Sequence, residues 1–219
     1  MIKKKGMKMR LKLNNIVGGF FIILFSWLAI ATEAQSAAVQ SDPVALLQYI
    51  ANNMIKGLKS NGANLKNKPQ IVYNLAYKYV VPYSNLAEMS KRVLSPSVWN
   101  KATPAQRAQF EKEFTRTLIR TYASSLSAYK DQTVTFYPVR GGYQGKRSVE
   151  VESEINSSES QPIRVSYRLV QNGGVWRLFD LSVEGVDMLE SFRSQYADIL
   201  SQGSMDQLLQ RMSSHNNRS

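Results

Sequence analysis

At Tyr129 the spacing of apolar residues along this chain changes from near four to two. Upstream, Phe110, Phe114, Leu118, Tyr122 and Leu126 recur every fourth residue, with Tyr129 three further on. Downstream, Val149, Val151 and Ile155 alternate with Ser148, Glu150, Glu152 and Glu154, and Ile163, Val165, Tyr167 and Leu169 alternate with Arg164 and Arg168. A period near 3.6 buries one side of a helix, whereas a period of two buries one side of a strand. The chain must therefore be helical first and a sheet afterwards, which defines an α+β fold.

The helical half carries its own start and stop signals. Asp42–Pro43 supplies a cap and a first-turn proline, and Val44, Leu47, Ile50, Ala51, Met54, Ile55 and Leu58 continue one face until Gly57 and Asn61–Gly62. A second helix starts near Pro69, carries Ile71, Val72, Leu75 and Tyr79, and is interrupted by Pro82. A third runs from Tyr83 to Leu94 and stops at Ser95–Pro96. The fourth begins at Thr103, where the hydroxyl can cap the first turn, Pro104 needs no N–H, and Gln106 completes a Thr-x-x-Gln capping box. Glu111, Lys112, Arg116 and Arg120 lie largely away from its apolar stripe. Four helices are thus expected before any strand.

Strands are predicted over Val134–Val139, Lys146–Ile155, Ile163–Leu169 and Val175–Glu184, with turns at Gly141–Gly142 and Asn172–Gly173–Gly174. Acidic residues on one outer face and basic residues on the next suit antiparallel cross-strand pairing. The last strand is ambiguous, because Trp176 and Leu178 point one way while Phe179, Leu181 and Val183 point the other. Asp187 with Glu190 marks a helix through Leu200, and Ser204 or Asp206 opens a short final one. Ser213 to Ser219 reads as a frayed tail containing the only histidine, His215. The expected architecture has N-terminal helices packed on an antiparallel sheet and C-terminal helices closing it.

The first residues have a separate purpose. Lys3, Lys4, Lys5, Lys8, Arg10 and Lys12 precede an uncharged apolar run from Leu13 to Ala31, with small residues at Ala29, Ala31 and Ala34. This is the pattern of a secretory signal peptide over residues 1–34; an uncleaved anchor is the competing reading, given the length of the run. Six of the 28 Lys and Arg and one of the 16 Asp and Glu precede Gln35, so 22 cations face 15 anions in the remainder. That excess suits anionic lipid or acidic partners, and export argues against nucleic acid.

The chain is poor in reactive groups. It has no cysteine and one histidine, which excludes disulfides, thiolate metal sites, a cysteine nucleophile and any histidine-based triad. No Gly-x-Ser-x-Gly elbow or phosphate-binding glycine loop occurs. Glu150, Glu152 and Glu154 form a solvated ladder without the burial that would split their pKa values. Asp180 stands mid-strand between Phe179 and Leu181, and fits a paired structural aspartate better than a general base. No catalytic residue and no metal ligand is assigned.

Several stretches share their wording, in order, with one family: "ATPAQR", a helix ending "RTYASSLSAY", then "PVRG", "QPIRVSYRL" and "WRLFDLSVEGVDMLESFRSQYADIL". From about Asp42 to Met212 the chain resembles the MlaC, or toluene-tolerance, family of periplasmic phospholipid-binding proteins. The resemblance implies a lipid-binding domain over 42–212, followed by a tail over 213–219. It also implies a strongly curved, nuclear-transport-factor-like sheet, and a monomer whose cargo is phospholipid and which needs no cofactor. Implied partners are an inner-membrane ABC transporter bearing a ring-forming lipid-binding domain and an outer-membrane lipoprotein–porin complex. The implied task is shuttling lipid across the periplasm to maintain outer-membrane asymmetry.

By position, Tyr122 in "RTYAS" and Val186 in "VEGVDM" match pocket-lining positions of that family, so a carboxylate introduced at Val186 is expected to be buried. Periodicity adds Leu118, Val149, Val151, Val165, Tyr167 and Phe192. Arg164 is a candidate for phosphate or an acidic partner, or for pairing with Glu150 or Glu152. Periodicity cannot tell a packed core from a lined pocket. The residues alone favour the packed core, and the resemblance favours the pocket. An enzyme acting on an apolar small molecule, or an envelope interaction module, would use the same fold. Two stretches depart from the family pattern: Ser84–Asn85, where many members have an aspartate, and Ser95–Pro96–Ser97–Val98–Trp99.

Overall fold

The computed structural model describes residues 39–158 and 160–217, so the signal-peptide expectation lies outside the described residues. Five α-helices precede the sheet: α1 (Pro43–Ser60), α2 (Gln70–Tyr79), α3 (Leu86–Val93), α4 (Pro96–Lys101) and α5 (Pro104–Ser127). Strands β1 (Thr133–Phe136), β2 (Ser148–Asn156), β3 (Ile163–Asn172), β4 (Val175–Val183) and β5 (Val186–Asp187) follow, and α6 (Met188–Ser201) and α7 (Met205–Asn216) close the chain. The α+β class is as the change of period requires.

The caps explain most boundaries. Asp42 accepts the N–H groups of Val44 and Ala45 at 2.8 and 3.0 Å. Thr103 and Gln106 form the reciprocal capping box, with bonds of 3.2 and 2.9 Å. Asn85, standing near the family's aspartate, performs the same capping by accepting Glu88 N–H at 3.1 Å. Helix α4 was not anticipated. Ser95 caps it and Pro96 takes its first position, so a Ser–Pro pair that ends one helix also begins another.

All neighbouring strands are antiparallel, in the order β1-β2-β3-β4-β5. The ambiguity of β4 is resolved by an irregularity in its pairing with β3. Leu169 pairs with Leu178 and Arg168 with Asp180, which leaves Phe179 as an extra residue. This bulge shifts the alternation by one, so Leu181 and Val183, opposite Tyr167 and Val165, join the side of Trp176 and Leu178. Phe179 turns the other way, into the cluster of α3, α5, α6 and α7, where Arg92 lies 4.6 Å from its ring centre. Short β5, also unanticipated, follows a two-residue turn in which Glu184 and Gly185 have φ of 51° and 79°. Both positive values match the tight hairpin turn that agrees with strand twist.

Three apolar clusters hold the layers. One joins Phe110, Phe114 and Leu118 to Phe192, Tyr196, Leu208 and Met212. Phe114 meets Phe192 edge-on at 5.4 Å, and Phe110 meets Tyr196 at 5.7 Å. A second packs Leu46, Leu47, Ile50 and Met54 of α1 on Val149, Val151, Leu169, Trp176 and Leu178 of the sheet. The third pins Leu58, Leu65 and Val72 of the α1–α2 hairpin against Ala123 of α5.

The tail expected from Ser213 is corrected by α7, which runs to Asn216. Ser204 and Gln207 form a capping box at its start, and its end is anchored to α5. Asn216 Nδ2 donates to the buried Glu113 carboxylate at 2.8 Å and to Glu113 O at 2.9 Å, and Thr117 Oγ1 lies 3.2 Å from Asn216 Oδ1. His215 is exposed on this helix. Asn216→Ala leaves a buried carboxylate short of a donor and is expected to destabilise the fold by about 1–3 kcal/mol in urea unfolding. An unchanged midpoint would mean that the anchor contributes nothing.

Candidate functional site

With 3.6 residues per turn, residues four apart on α5 advance by about 40° around its axis at each step. Its stripe therefore rotates from Phe110 to Leu126. The upper part meets α6 and α7, and the lower part meets α1, α2 and the sheet. Where the two directions diverge, the layers do not fill each other. A cavity of about 220 Å³ opens there, walled by Met54 of α1, Ala76 of α2, Val80, Val81 and Ser84 beyond it, and Leu86 and Met89 of α3. Thr115, Leu118, Ile119, Tyr122 and Leu126 of α5, Leu178 and Leu181 of β4, and Met188 complete it.

The lining presents carbon almost everywhere. Thr115 Oγ1 donates to Glu111 O at 2.8 Å and Ser84 Oγ to Val80 O at 2.9 Å, so both hydroxyls are satisfied within their own turns. The bulge leaves Leu178 O free to accept Asn85 N–H at 2.7 Å, which fixes the Val81–Ser84 wall to the sheet. Tyr122 brings the main polar atom near this space. Burial, followed by the nearby Asp180 charge, pushes its phenol above the ordinary range, so it stays protonated.

Asp180 lies behind Leu181 and Met188 without lining the cavity. It is 2% exposed and bonded by Arg168, which also bonds Asp187. Its other oxygen accepts Leu181 N–H at 2.8 Å and Leu189 N–H at 3.4 Å. Asp187 in turn caps α6 through Glu190 N–H at 2.9 Å, while Glu190 pairs with Arg193 and does not complete a reciprocal box. The arrangement locks the start of α6 to the sheet and offers no free base to the cavity. Among the described residues no cluster of His, Cys, Asp and Glu could hold a metal ion.

Of the predicted residues, Leu118 and Tyr122 line the cavity. Val149, Val151, Val165 and Phe192 are buried elsewhere: the first two pack under α1, Val165 lies further along the inner sheet face, and Phe192 is in the aromatic cluster of α5 and α6. Tyr167 is half-buried on that inner face, its ring 5.6 Å from Phe136. Two expectations are corrected. Val186 is 64% exposed, because the two-residue β5 at the sheet edge has no helix over it. Arg164 is 80% exposed and reaches Glu154 at 3.9 Å, since the register places Glu154, and neither Glu150 nor Glu152, opposite it. It lines a separate open groove of about 790 Å³ on the outer sheet face, with Arg140, Lys146 and the glutamate ladder. That groove is larger, but charged side chains line it.

The missed lining residues had a signal. Thr115 and Ile119 follow helical spacing one step round from the stripe of Leu118 and Tyr122, and Leu126 continues that stripe.

Fold and site together define an α+β domain in which a layer of helices is held over an open antiparallel sheet with an apolar cavity between them. The MlaC family model matches residues 48–214, and the chain belongs to this family. It is 26% identical over 188 residues to the toluene tolerance protein ttg2D of Pseudomonas putida, covering 86% of this chain and 84% of the relative. It is 23% identical over 210 residues to MlaC of Haemophilus influenzae, an intermembrane phospholipid transport system binding protein, covering 88% and 91%. A solved phospholipid-binding protein of Ralstonia solanacearum, in complex with a phospholipid, superposes with a TM-score of 0.74 at 26% identity, covering 80% of this chain and 97% of that one.

Burial, with Asp187 beside it, raises the pKa of Asp180 above 3.8, although Arg168 and the two N–H groups oppose the shift. A carboxyl with a higher pKa when folded binds its proton more tightly in the fold. Lowering the pH from above through that window therefore stabilises the native state, and raising it withdraws the gain. The stability of the wild type relative to Asp180→Asn is expected to increase as pH falls from 7 through that window. Urea unfolding at several pH values checks this, and a relative stability that falls instead contradicts it.

Proposed function

We propose that this protein is a phospholipid carrier of the periplasm, moving lipid between the outer and inner membranes and so maintaining outer-membrane asymmetry. The observation that carries the reading is the carbon-lined cavity between α5 and β4. Family membership and the phospholipid-bound Ralstonia neighbour support it. Two tails of about sixteen carbons expose on the order of thirty methylenes, at roughly 0.8 kcal/mol each, if they cross water unshielded. A carrier needs only to match the bilayer's apolar environment, so loading and unloading are both nearly balanced. Direction then comes from partners: an inner-membrane ABC transporter with a ring-forming lipid-binding domain on one side, and an outer-membrane lipoprotein–porin complex on the other.

The cavity is smaller than the roughly 300–1,000 Å³ of a typical ligand pocket. Loading a phospholipid therefore parts the helices from the sheet. Tails that overrun the cavity pass from Leu118, Tyr122 and Leu181 onto the inner sheet face at Tyr167 and Val165, and emerge beside Val183 and Val186, which lie in register on that face. In the loaded protein Val186 is covered by lipid. Asp180, the carboxylate on which an enzyme reading would rest, is engaged by Arg168 and two backbone N–H groups.

Organic extraction of the purified protein followed by mass spectrometry is expected to yield phospholipid near one per chain. A protein free of lipid that also fails to take it up from labelled vesicles overturns the reading. Leu118→Trp, and separately Tyr122→Trp, fill the cavity and are expected to lower recovered lipid about tenfold while the fold loses about 1–3 kcal/mol. Full lipid recovery in both variants would place the tails elsewhere.

A further inference from the structure

We propose that the tip of the α1–α2 hairpin is a docking surface for an anionic lipid bilayer. From Pro43 to Ala87 the sequence has no aspartate, glutamate or arginine, while Lys56, Lys59, Lys66, Lys68 and Lys78 fall within it. Along the chain these lysines are dispersed. The fold gathers four of them, because Leu58, Leu65 and Val72 share one apolar cluster and so fold the connection back on the end of α1. Lys56 and Lys59 on the last turns of α1 are thereby brought to the same end as Lys66 and Lys68, which precede α2. All four are exposed.

What separates them from the other cations is the absence of any acidic residue in their own stretch of chain, from Pro43 to Ala87. Arg92, Arg116, Arg164, Arg168 and Arg193 each lie within 4.0 Å of a carboxylate, whereas none of the five hairpin lysines does among the described residues. Asp131, just beyond the end of neighbouring α5, accepts Ser158 Oγ at 2.7 Å. The hairpin tip is therefore positive charge without local compensation.

The chemistry of the patch selects the occupant. Lysine is a mobile, strongly hydrated point charge suited to a diffuse field, and the planar, bidentate recognition of a protein carboxylate calls for arginine, which the hairpin lacks. Asn61, Asn64 and Asn67 fill the connection between the lysines, so it carries no apolar anchor of the kind that a protein interface needs. On α2, Tyr73 is half-buried and Tyr77 is 45% exposed, one turn apart, and such rings settle at the headgroup level of a bilayer. Clustered lysines beside interfacial tyrosines match the requirements of an anionic lipid surface.

The same two helices wall the cavity, through Met54 and Ala76. Gly57 lets the two helices approach closely, since a Cβ there would stand 2.3 Å from Leu75 Cδ2. Docking by the tip thus brings to the membrane the hairpin whose helices wall the cavity further along. The proposal adds to the carrier reading but rests on charge alone.

The test uses the chain in the form that an expressing cell releases, sedimented with vesicles of phosphatidylcholine alone or with about one-quarter phosphatidylglycerol. Each lysine near an anionic surface contributes about fivefold in affinity. The wild type is expected to bind the anionic vesicles about six hundredfold more tightly than the quadruple variant Lys56→Gln, Lys59→Gln, Lys66→Gln, Lys68→Gln, and to lose most of this in about 0.5 M salt. The variant's melting curve and its co-purified lipid are expected to be unchanged, which separates this outcome from failure of the carrier reading. Equal vesicle binding by the two proteins overturns the proposal. So does wild-type binding to soluble polyglutamate in place of anionic vesicles, which would assign the tip to an acidic protein.

Discussion

Asp180 is the point at which the sheet and the C-terminal helices are tied together. The bulge at Phe179 rotates its side chain away from the inner face, and there it meets Arg168 from the neighbouring strand and two backbone N–H groups, one of them at the start of α6. Taking a carboxylate out of water is costly unless nearly every lone pair finds a donor. Here the donors come from β3, β4 and α6 at once, so satisfying one side chain fixes the relative position of three elements. The same bulge turns Leu181 toward the cavity, sends Phe179 into the helical cluster and frees Leu178 O for Asn85. The cavity floor, the C-terminal helices and the wall after α2 all follow from one extra residue in a strand.

That coupling explains which parts of the structure sequence reading could reach. Residues that obey a period or cap a helix announce themselves locally, as Thr103–Gln106, Asp42 and the alternation of β3 do. Thr115 to Leu126 also carry a period, but only the rotation of α5 against its neighbours decides which residues face the gap. The bulge has no local signature beyond the conflict between Trp176–Leu178 and Leu181–Val183, and α4 was concealed by a Ser–Pro pair that reads equally as an end. Arg164 and Val186 show the converse. Their positions in matching motifs were clear, yet exposure depends on which helices cover the sheet, and none covers its β5 edge.

A carrier faces a constraint that an ordinary core does not. An empty apolar cavity forfeits dispersion contacts in proportion to its volume, so a large permanent one would destabilise the fold. A filled core, however, would admit no cargo. A gap of about 220 Å³ is a compromise between these limits. The residues around it are suited to change: Met54, Met89 and Met188 are unbranched and repack at low cost. Elements that must stay fixed are held by polar contacts or ring stacking remote from the gap, at Asp180, at Asn216 with Glu113, and among Phe110, Phe114, Phe192 and Tyr196. Rigidity is placed where the helices meet the sheet edge and the C-terminus, and compliance where α1 and α2 lie over it.

The hairpin is the part of this arrangement that can move without breaking a buried ion pair. Its contacts with α5 and the sheet are apolar, through Leu58, Val72 and Met54, whereas α6 is tied by Asp180 and Asp187. Apolar contacts are non-directional, so sliding or lifting the hairpin exchanges one set of neighbours for another, and lipid tails entering beneath it replace the contacts they displace. Moving α6 instead would strand Asp180 in a medium with no water to receive it. For the proposed carrier, the α1–α2 side of the cavity is thus the side that can open without breaking a buried ion pair, and it also bears the hairpin lysines.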